Sequence, residues 1–220
     1  MDRLTFYQKL IETGILPLYY GANVETCKNV LLASYQAGVT AFEFTNRGAN
    51  ALSVFSELRE FIDKSKMDLT LGIGSIIDPQ TAAVFVHNGA EFVVGPFLNN
   101  DLAVWCNKRK IPYIPGCTTP REISEAEEVG AEIVKVFPAA VLGPSFIKSV
   151  LGPMPWSKLM PTGGVNPDKT NITTWVNAGA VCLGLGSQFF KKELIESQDF
   201  GQIVKTLSDV RSWIAEARGR

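Results

Sequence analysis

Short apolar runs rich in β-formers alternate with longer amphipathic segments along the whole chain. The runs cover residues 15–20, 41–45, 69–74, 92–96, 111–116, 133–137, 158–164 and 180–186. The segments between them carry apolar residues at helical spacing. Successive runs start roughly 20 to 28 residues apart, which leaves room for a crossover helix each time. The alternation therefore predicts consecutive βα units with parallel strands.

Cap residues and glycines mark where these helices begin and end. Asp78–Pro79, Thr119–Pro120 and Asn166–Pro167 each predict an N-cap residue followed by proline at the first helical position. Glycines typical of helix carboxyl ends precede several of the apolar runs, at Gly38, Gly89, Gly130 and Gly179. Two more helices are expected outside the repeating units, over residues 3–13 and about 200–218.

Eight such units fill almost the entire chain and leave no sequence for a second domain. The fold class predicted is α/β, as a single (β/α)8 TIM barrel over residues 1–220 with an extra N-terminal helix. A doubly wound open sheet is the alternative. It is disfavoured because the glycine-rich turns follow the last two strands and not the first.

Composition narrows the classes of function. Lys plus Arg number 21 and Asp plus Glu number 22, so no basic excess indicates nucleic-acid binding. No apolar run reaches the roughly 20 residues of a membrane span, and the N-terminus lacks a signal-peptide core, so a cytoplasmic protein is expected. The four cysteines are scattered, as expected for reduced, packed thiols. His87, the single histidine, excludes a multi-histidine metal site, and neither metal nor cofactor is predicted.

Two charged side chains lie inside predicted strands. In AFEFT the large Phe42 and Phe44 suit the helix layer, which turns Glu43 and Thr45 inward. In IVKVF the same alternation turns Lys135 inward. Its neighbours divide in the same way, with Ile133 and Phe137 inward and Val134 and Val136 toward the helices. Both charged residues lie near strand ends, on the rim where functional residues of this fold collect.

Glu43 and Lys135 allow two interpretations at this point. They could form a buried ion pair, which is neutral to mildly unfavourable for stability. Alternatively, Lys135 could be a Schiff-base lysine, because burial and a nearby cation such as Arg47 lower an amine's pKa. The iminium would act as an electron sink, and a carboxylate in reach could move protons.

Glycine-rich loops after the last two strands predict an anion site. Gly163 and Gly164 follow strand seven, and Gly184, Gly186 and Ser187 follow strand eight. Backbone amides at helix starts bind phosphate, and these two loops are the usual phosphate site of a barrel. Ser75, in the GIGS loop (72–75) after strand three, is a weaker candidate for binding a substrate carboxylate.

Several motifs occur in the order of a known family. FEFTNRG resembles its Glu-x-Thr-x-Arg motif, VKVFPA its Lys-x-Phe-Pro-Ala motif, and MPTGGVNP its Pro-Thr-Gly-Gly-hydrophobic motif. GIGS stands where the family has Gly-x-Gly-Thr, and IPYIPGCTTPREI resembles its Pro-Gly-x-x-Thr-Pro-x-Glu turn. From about residue 5 to 195 the chain resembles the 2-keto-3-deoxy-6-phosphogluconate / 4-hydroxy-2-oxoglutarate (KDPG/KHG) aldolases of class I.

The resemblance implies roles for particular residues. Lys135 would form the Schiff base with pyruvate, and Glu43 would be the general acid and base. The substrate-binding residues implied are Arg47 and Ser75 for the carboxylate, and Pro96, Phe137 and Thr162 along the pocket. The phosphate-binding residues implied are Gly163, Gly164, Gly186 and Ser187.

The resemblance also implies a reaction and an assembly. The expected reaction cleaves 2-keto-3-deoxy-6-phosphogluconate to pyruvate and glyceraldehyde 3-phosphate, and 4-hydroxy-2-oxoglutarate to pyruvate and glyoxylate. The expected assembly is a homotrimer that acts on small keto-acid or sugar-phosphate substrates without a metal. Alternatives are a galactonate-type aldolase, an epimerase or isomerase with Lys135 as proton shuttle, and a catalytically silent sugar-phosphate-binding barrel. The sequence departs from the family pattern at Asn46, Gly48, Gly95, Cys117 and Thr118. These departures leave undetermined which aldehyde the enzyme prefers as the partner of pyruvate.

Overall fold

The protein has an α/β fold built on parallel strands. A computed structural model describes residues 2–219. The strands are β1 (Ile15–Tyr19), β2 (Ala41–Thr45), β3 (Thr70–Gly74), β4 (Val93–Val94), β5 (Tyr113–Ile114), β6 (Gly116–Cys117), β7 (Val134–Val136), β8 (Leu159–Pro161) and β9 (Leu183–Leu185). Each of the eight predicted runs contains at least one of them, mostly shorter than the run.

Helices connect the strands. They are α1 (Arg3–Thr13), α2 (Val24–Gln36), α3 (Ala51–Ser65), α4 (Pro79–His87), α5 (Asn100–Lys108), α6 (Pro120–Glu128), α7 (Ala139–Leu151), α8 (Lys169–Asn177), α9 (Lys192–Glu196) and α10 (Phe200–Ala217). No helix within residues 2–219 is long and apolar enough to cross a membrane.

The strands form two parallel sheets, ordered β5-β4-β3-β2-β1-β9 and β6-β7-β8. The pairing of β1 with β9 excludes the alternative doubly wound order, because there the first strand does not pair with the last. Strand five is divided into β5 and β6 at Pro115, which has no amide hydrogen to donate. An isolated parallel bridge joins Thr162, just after β8, to Gly184 in β9.

Alternation along the strands sorts side chains into two clusters. The outer cluster packs strands against helices and contains Phe42, Phe44, Val134 and Val136. The inner cluster contains Ile133 and draws on both sheets. Its buried members are Phe6, Tyr7, Leu10, Leu16, Ala41, Phe92, Val94, Ile114, Ile133, Met160 and Cys182. The predicted directions of these β2 and β7 side chains are confirmed.

Helix α1 packs against the inner cluster at the amino ends of the strands. Its buried side chains Phe6, Tyr7 and Leu10 belong to that cluster, and the ring of Phe6 stacks on Phe92 with centroids 4.7 Å apart. The Asp2 side chain caps the helix by accepting hydrogen bonds from the first free amides. This edge of the molecule is therefore closed by apolar packing.

Two of the three predicted N-caps are confirmed and one is wrong. Asp78 and Thr119 cap α4 and α6, each followed by proline at the first position. Helix α8, however, begins at Lys169 and is capped by Asp168, whose side chain accepts from the Asn171 amide. The Asn166 amide instead donates to the Asn171 side chain, so the Asn166–Pro167 pair belongs to the preceding loop.

The remaining predicted markers are confirmed where the structure tests them. The glycines that end the helices all have positive φ, between 78° and 105°, at Gly38, Gly89, Gly130 and Gly179. The four cysteines are all buried and free. His87 is the last residue of α4, on the side that leads into β4.

Candidate active site

Glu43 and Lys135 are buried together on the inner face, near the carboxyl ends of their strands. Glu43 lies in β2 and is 1% exposed, and Lys135 lies in β7 and is 5% exposed. Each alters the pKa of the other, and Arg47, just past β2, acts on both. The structure thus brings together the three charged residues singled out in the sequence.

The two charges do not form a contact ion pair. Among residues 2–219 no ion pair within 4.0 Å joins Glu43 to Lys135, and Glu43 Oε2 has no hydrogen-bond partner. The other carboxylate oxygen packs on Gly74, where an added Cβ would overlap it. A buried carboxylate without a partner is costly, so a structural ion pair does not account for this arrangement.

Burial shifts both groups toward their neutral forms. It raises the pKa of Glu43 above the ordinary carboxyl value, against the opposing effects of Lys135 and Arg47. It lowers the pKa of Lys135 below the ordinary amine value, and Arg47 lowers it further while Glu43 opposes the shift. A neutral amine is a nucleophile, and a carboxyl group with a raised pKa can give and take protons at a higher pH than an ordinary carboxyl group.

Phe137 connects the lysine to the first glycine loop. The Lys135 Nζ lies 4.9 Å from the centroid of the Phe137 ring, within cation–π range. The same ring faces Gly163, where an added Cβ would lie 3.9 Å from it. The aromatic side chain thus forms one wall between the amine and the loop after β8.

Arg47 and Ser75 meet at the ends of β2 and β3. The Arg47 Nε donates a hydrogen bond to Ser75 Oγ at 3.2 Å. Ser75 has a φ of 62°, a left-handed backbone conformation that is uncommon outside glycine. A guanidinium beside a hydroxyl suits a substrate carboxylate.

Thr162 and Pro96 follow two other strands, β8 and β4. Thr162 is buried, its Oγ1 has no hydrogen-bond partner, and it packs closely over Gly184. Pro96 follows β4, and its carbonyl packs against Gly116, where a Cβ would overlap it. Both residues follow the carboxyl ends of their strands, β4 for Pro96 and β8 for Thr162.

The two glycine loops differ in how tightly they pack. Gly163 and Gly164 both have positive φ, 81° and 82°. A Cβ at Gly164 would overlap the backbone of Ala140, at the start of α7, whereas Gly163 has space. In the second loop Gly186 packs on Leu18, where an added Cβ would lie 3.4 Å from the side chain. Packing against α7 thus explains why position 164 needs a glycine, whereas Gly163 is open and Gly186 makes an ordinary contact.

A cavity of about 250 Å³ opens between β1, β2 and the loop after β9. It is lined by Leu18, Tyr19, Tyr20, Thr45, Arg47, Ser187 and Phe190. Arg47 and Ser187, which the sequence assigned to two different subsites, line this one cavity, whereas Lys135 and Glu43 do not. Thr45 and Tyr20 line it too and received no role from the sequence. Strand alternation could have indicated Thr45 as a site residue, because it places Thr45 on the same face as Glu43.

The fold and the site together define an α/β enzyme with a buried lysine suited to carbonyl chemistry. No cluster of three metal-ligating side chains occurs in the described part of the chain. The chain belongs to the KDPG and KHG aldolase family, whose model matches residues 7–206. Members of this family are aldolases, which are carbon–carbon lyases.

Individual members of the family are similar to this chain over most of its length. The chain is 31% identical over 183 residues to a 2-dehydro-3-deoxy-phosphogluconate aldolase of Pseudomonas aeruginosa, covering 82% of this chain and 80% of the relative. It is 28% identical to the KHG/KDPG aldolase of Escherichia coli, covering 91% and 92%. Its fold matches the crystal structure of KDPG aldolase from Legionella pneumophila, with pyruvate captured at low pH as a covalent carbinolamine intermediate. That match has a TM-score of 0.82 and 26% identity, and covers 92% of this chain and 96% of the other.

Proposed function

We propose that the protein is a class I aldolase that cleaves 2-keto-3-deoxy-6-phosphogluconate to pyruvate and glyceraldehyde 3-phosphate. The observation that carries the proposal is the buried Lys135 amine, whose pKa is lowered, beside a Glu43 carboxylate oxygen without a hydrogen-bond partner. A structural pair would join these groups directly. Because Glu43 Oε2 has no partner, it is available to accept a hydrogen bond from a bound substrate.

The reaction follows from the chemistry of the two groups. Lys135 Nζ attacks the C2 ketone, and loss of water from the carbinolamine gives an iminium. Glu43 accepts the proton of the C4 hydroxyl as the C3–C4 bond breaks, and the bonding electrons flow into the iminium. Glyceraldehyde 3-phosphate leaves, C3 of the enamine is protonated, and water releases pyruvate from the lysine.

Substrate binding is proposed along the rim. Arg47 and Ser75 bind the C1 carboxylate, supported by their mutual hydrogen bond. Phe137, Pro96 and Thr162 line the path from the amine. The phosphate is bound at the glycine loops, by Gly163, Gly164, Gly186 and Ser187.

The resemblance extends the proposal to a second substrate. The Escherichia coli relative is named for both KHG and KDPG. We therefore include cleavage of 4-hydroxy-2-oxoglutarate to pyruvate and glyoxylate, which needs the same lysine and carboxylate and does not use the phosphate loops. A galactonate-type substrate differs in C4 configuration, and the relative named for it matches only 55% of this chain.

The proposed architecture is one domain over residues 1–220, forming a (β/α)8 barrel with α1 as an extra N-terminal helix. Three observations support closure of the two sheets into one barrel. The inner cluster draws side chains from both sheets. The Thr162–Gly184 bridge connects β8 to β9, and β5 and β6 are separated by Pro115 alone.

A cytoplasmic homotrimer is the proposed state of the protein. Large apolar side chains exposed on and beside α4 and α5 support an interface between copies, at Ile77, Val84, Phe97 and Val104. Sedimentation equilibrium should give three times the chain mass. A mass equal to one chain at micromolar concentration would contradict the assembly.

Borohydride trapping tests the proposed function. Pyruvate with borohydride should add one reduced pyruvate to the peptide that contains Lys135, and Lys135→Ala should abolish both the added mass and pyruvate release from KDPG. Lys158→Ala is the matched control, because this half-exposed lysine precedes β8 and pairs with Glu132. It should trap and cleave as the unaltered protein does. If Lys135→Ala still cleaves KDPG, the Schiff-base mechanism is wrong.

A further inference from the structure

Two glycines of β3, Gly72 and Gly74, face the inside of the fold. The residues that alternate with them, Leu71 and Ile73, belong to the outer cluster, so the glycines point inward. Neither glycine has a positive φ, in contrast to the glycines that end the helices. Their backbone would therefore accept a side chain, and the need for glycine arises from what packs against them.

Each of the two glycines leaves room for a side chain from a neighbouring strand. A Cβ on Gly72 would overlap three ring atoms of Phe92, a member of the inner cluster. A Cβ on Gly74 would overlap Oε1 of Glu43 and lie 2.9 Å from its Cγ. The aromatic ring thus covers β3 at Gly72, and the carboxylate covers it at Gly74.

The Glu43 side chain leans toward the carboxyl end of the strands. Glu43 pairs in register with Gly72, but its Oε1 lies against Gly74, two residues farther along β3. The space over Gly72 is filled by the Phe92 ring. Because Glu43 is buried, its side chain cannot turn into solvent either. Gly74 therefore provides the space in which the carboxylate lies.

The packing on Gly74 fixes the whole glutamate side chain and not only its end. Since Cγ as well as Oε1 would meet an added Cβ, rotating the carboxylate alone would not relieve the overlap, and the side chain would have to change rotamer. A changed rotamer would also move Oε2, which has no hydrogen-bond partner within residues 2–219. Proton transfer needs its acceptor within hydrogen-bond reach, so a displacement of about 1 Å is already costly.

We propose that Gly74 is a positioning residue, whose missing side chain holds the Glu43 carboxylate where it exchanges protons with the substrate. The proposal rests on the proposed aldolase function, in which Glu43 accepts the proton of the C4 hydroxyl. Gly74 acts only through the glutamate. Its role is to keep one carboxylate oxygen packed on β3 while the other stays free for the reaction.

Gly74→Ala tests this role, with Gly72→Ala as the matched control. Both add one methyl group to the inner face of β3, but only the first overlaps the carboxylate. In Gly74→Ala, kcat for KDPG cleavage should fall about 100-fold while KM changes less than about threefold, because proton transfer is lost and the binding groups remain. Gly72→Ala displaces the Phe92 ring, so it should lower stability but keep kcat. Borohydride trapping of pyruvate at Lys135 counts the intact sites to which each kcat refers.

A second background keeps the test decisive if Gly74→Ala does not fold. Glu43→Ala removes the overlapped group, so Gly74→Ala should lower the urea midpoint much less in this background than in the unaltered protein. Gly72→Ala should cost the same in both backgrounds.

Three results would overturn the positioning role. They are a retained kcat in Gly74→Ala, an equal loss of kcat in Gly72→Ala, and an equal stability cost of Gly74→Ala with and without the Glu43 side chain. If the unaltered protein neither traps pyruvate nor cleaves KDPG, the aldolase function itself fails. The two failures are distinguishable, because the second is seen without any substitution.

Discussion

The reactivity of Lys135 depends on two neighbours with opposite effects. Burial lowers the pKa of its amine most strongly, the Glu43 charge raises it, and the Arg47 charge lowers it. A lower pKa means a larger fraction of neutral, nucleophilic amine at any pH below it. The rate at which Lys135 attacks a carbonyl should therefore report the charge of each neighbour separately.

Substituting Glu43 and substituting Arg47 should shift the pKa of the Lys135 amine in opposite directions. Glu43→Gln removes the negative charge that stabilises protonated Lys135. The pKa of Lys135 should therefore fall, and the amine should react with a carbonyl at lower pH. Arg47→Met removes the repelling cation, so the pKa should rise and the reaction should begin at higher pH. Reductive methylation with formaldehyde and cyanoborohydride measures how the reactivity of Lys135 depends on pH. Formaldehyde is suitable because it has no carboxylate for Arg47 to bind. Mass spectrometry of the Lys135 peptide across pH gives the midpoint, and shifts of the same sign in both variants would contradict the assignment.

Strand alternation was sufficient to predict which residues face inward, but not how their polar atoms are satisfied. Glu43, Thr45 and Lys135 lie on the predicted face because side chains alternate strictly along a strand. That Glu43 avoids a contact ion pair, and that Thr45 has no partner, depends on side chains brought in from other strands. Sequence spacing carries no such information, so the cavity at Thr45 was missed.

The end of β1 and the loop after β2 depend on each other through Tyr20 and Gly48. The Tyr20 ring packs near Phe44, with centroids 5.8 Å apart, and its hydroxyl lies over the Gly48 backbone. Gly48 directly follows Arg47. A side chain at position 48 would therefore displace the tyrosine or the loop that carries the guanidinium.

A double-mutant cycle should detect this dependence. Gly48→Ala alone should destabilise the protein by about 1–3 kcal/mol, because its methyl group overlaps the phenol. In a Tyr20→Leu background the same substitution should cost about 1 kcal/mol less, since the overlap is gone. Urea unfolding measures both. Gly152→Ala is the control, because its methyl would lie 3.5 Å from the Ser149 carbonyl, an ordinary contact. Equal costs in the two backgrounds would show that the residues are independent.

Local signals predicted most element boundaries and failed where several candidates compete. Two polar residues, Asn166 and Asp168, precede α8, and Asp168 caps it where Asn166 was expected, because its carboxylate accepts from the Asn171 amide. Helix α7 bends at Gly143, whose φ is 71°, just before Pro144. Proline in an apolar run also divided strand five at Pro115. The cap of α8 is decided by which side chain reaches the Asn171 amide, whereas the breaks at Gly143 and Pro115 follow from residues visible in the sequence.

At the scale of the whole molecule, the inner cluster joins elements that are far apart in sequence. It contains Phe6 of α1, Leu16 of β1 and Met160 of β8, among others, and no member is more than 5% exposed. A core shared in this way couples the stability of the two sheets. The repeating βα pattern predicted the parallel fold, whereas the packing of α1 into this cluster could not be inferred from periodicity.

The shared core predicts one cooperative unfolding transition. Fluorescence of Trp175, buried in α8, and of the other tryptophans should change at the same urea concentration as far-ultraviolet circular dichroism, which follows all helices. The comparison should be made at fixed protein concentration, because assembly shifts midpoints. Separate transitions from the two probes would show that the sheets unfold as independent units and would contradict the single-domain proposal.

The stacking of Phe6 on Phe92 has a consequence for the order of events in the proposed reaction. Because α1 packs over the amino edge, we expect substrate to enter from the opposite edge, where the proposed site residues follow their strands. Pyruvate, attached deep at Lys135, lies behind the aldehyde. The aldehyde should therefore depart first in cleavage and arrive second in condensation. The covalent bond between pyruvate and Lys135 sets this order, and the helix that closes the amino edge leaves the carboxyl edge as the side from which we expect the aldehyde to depart.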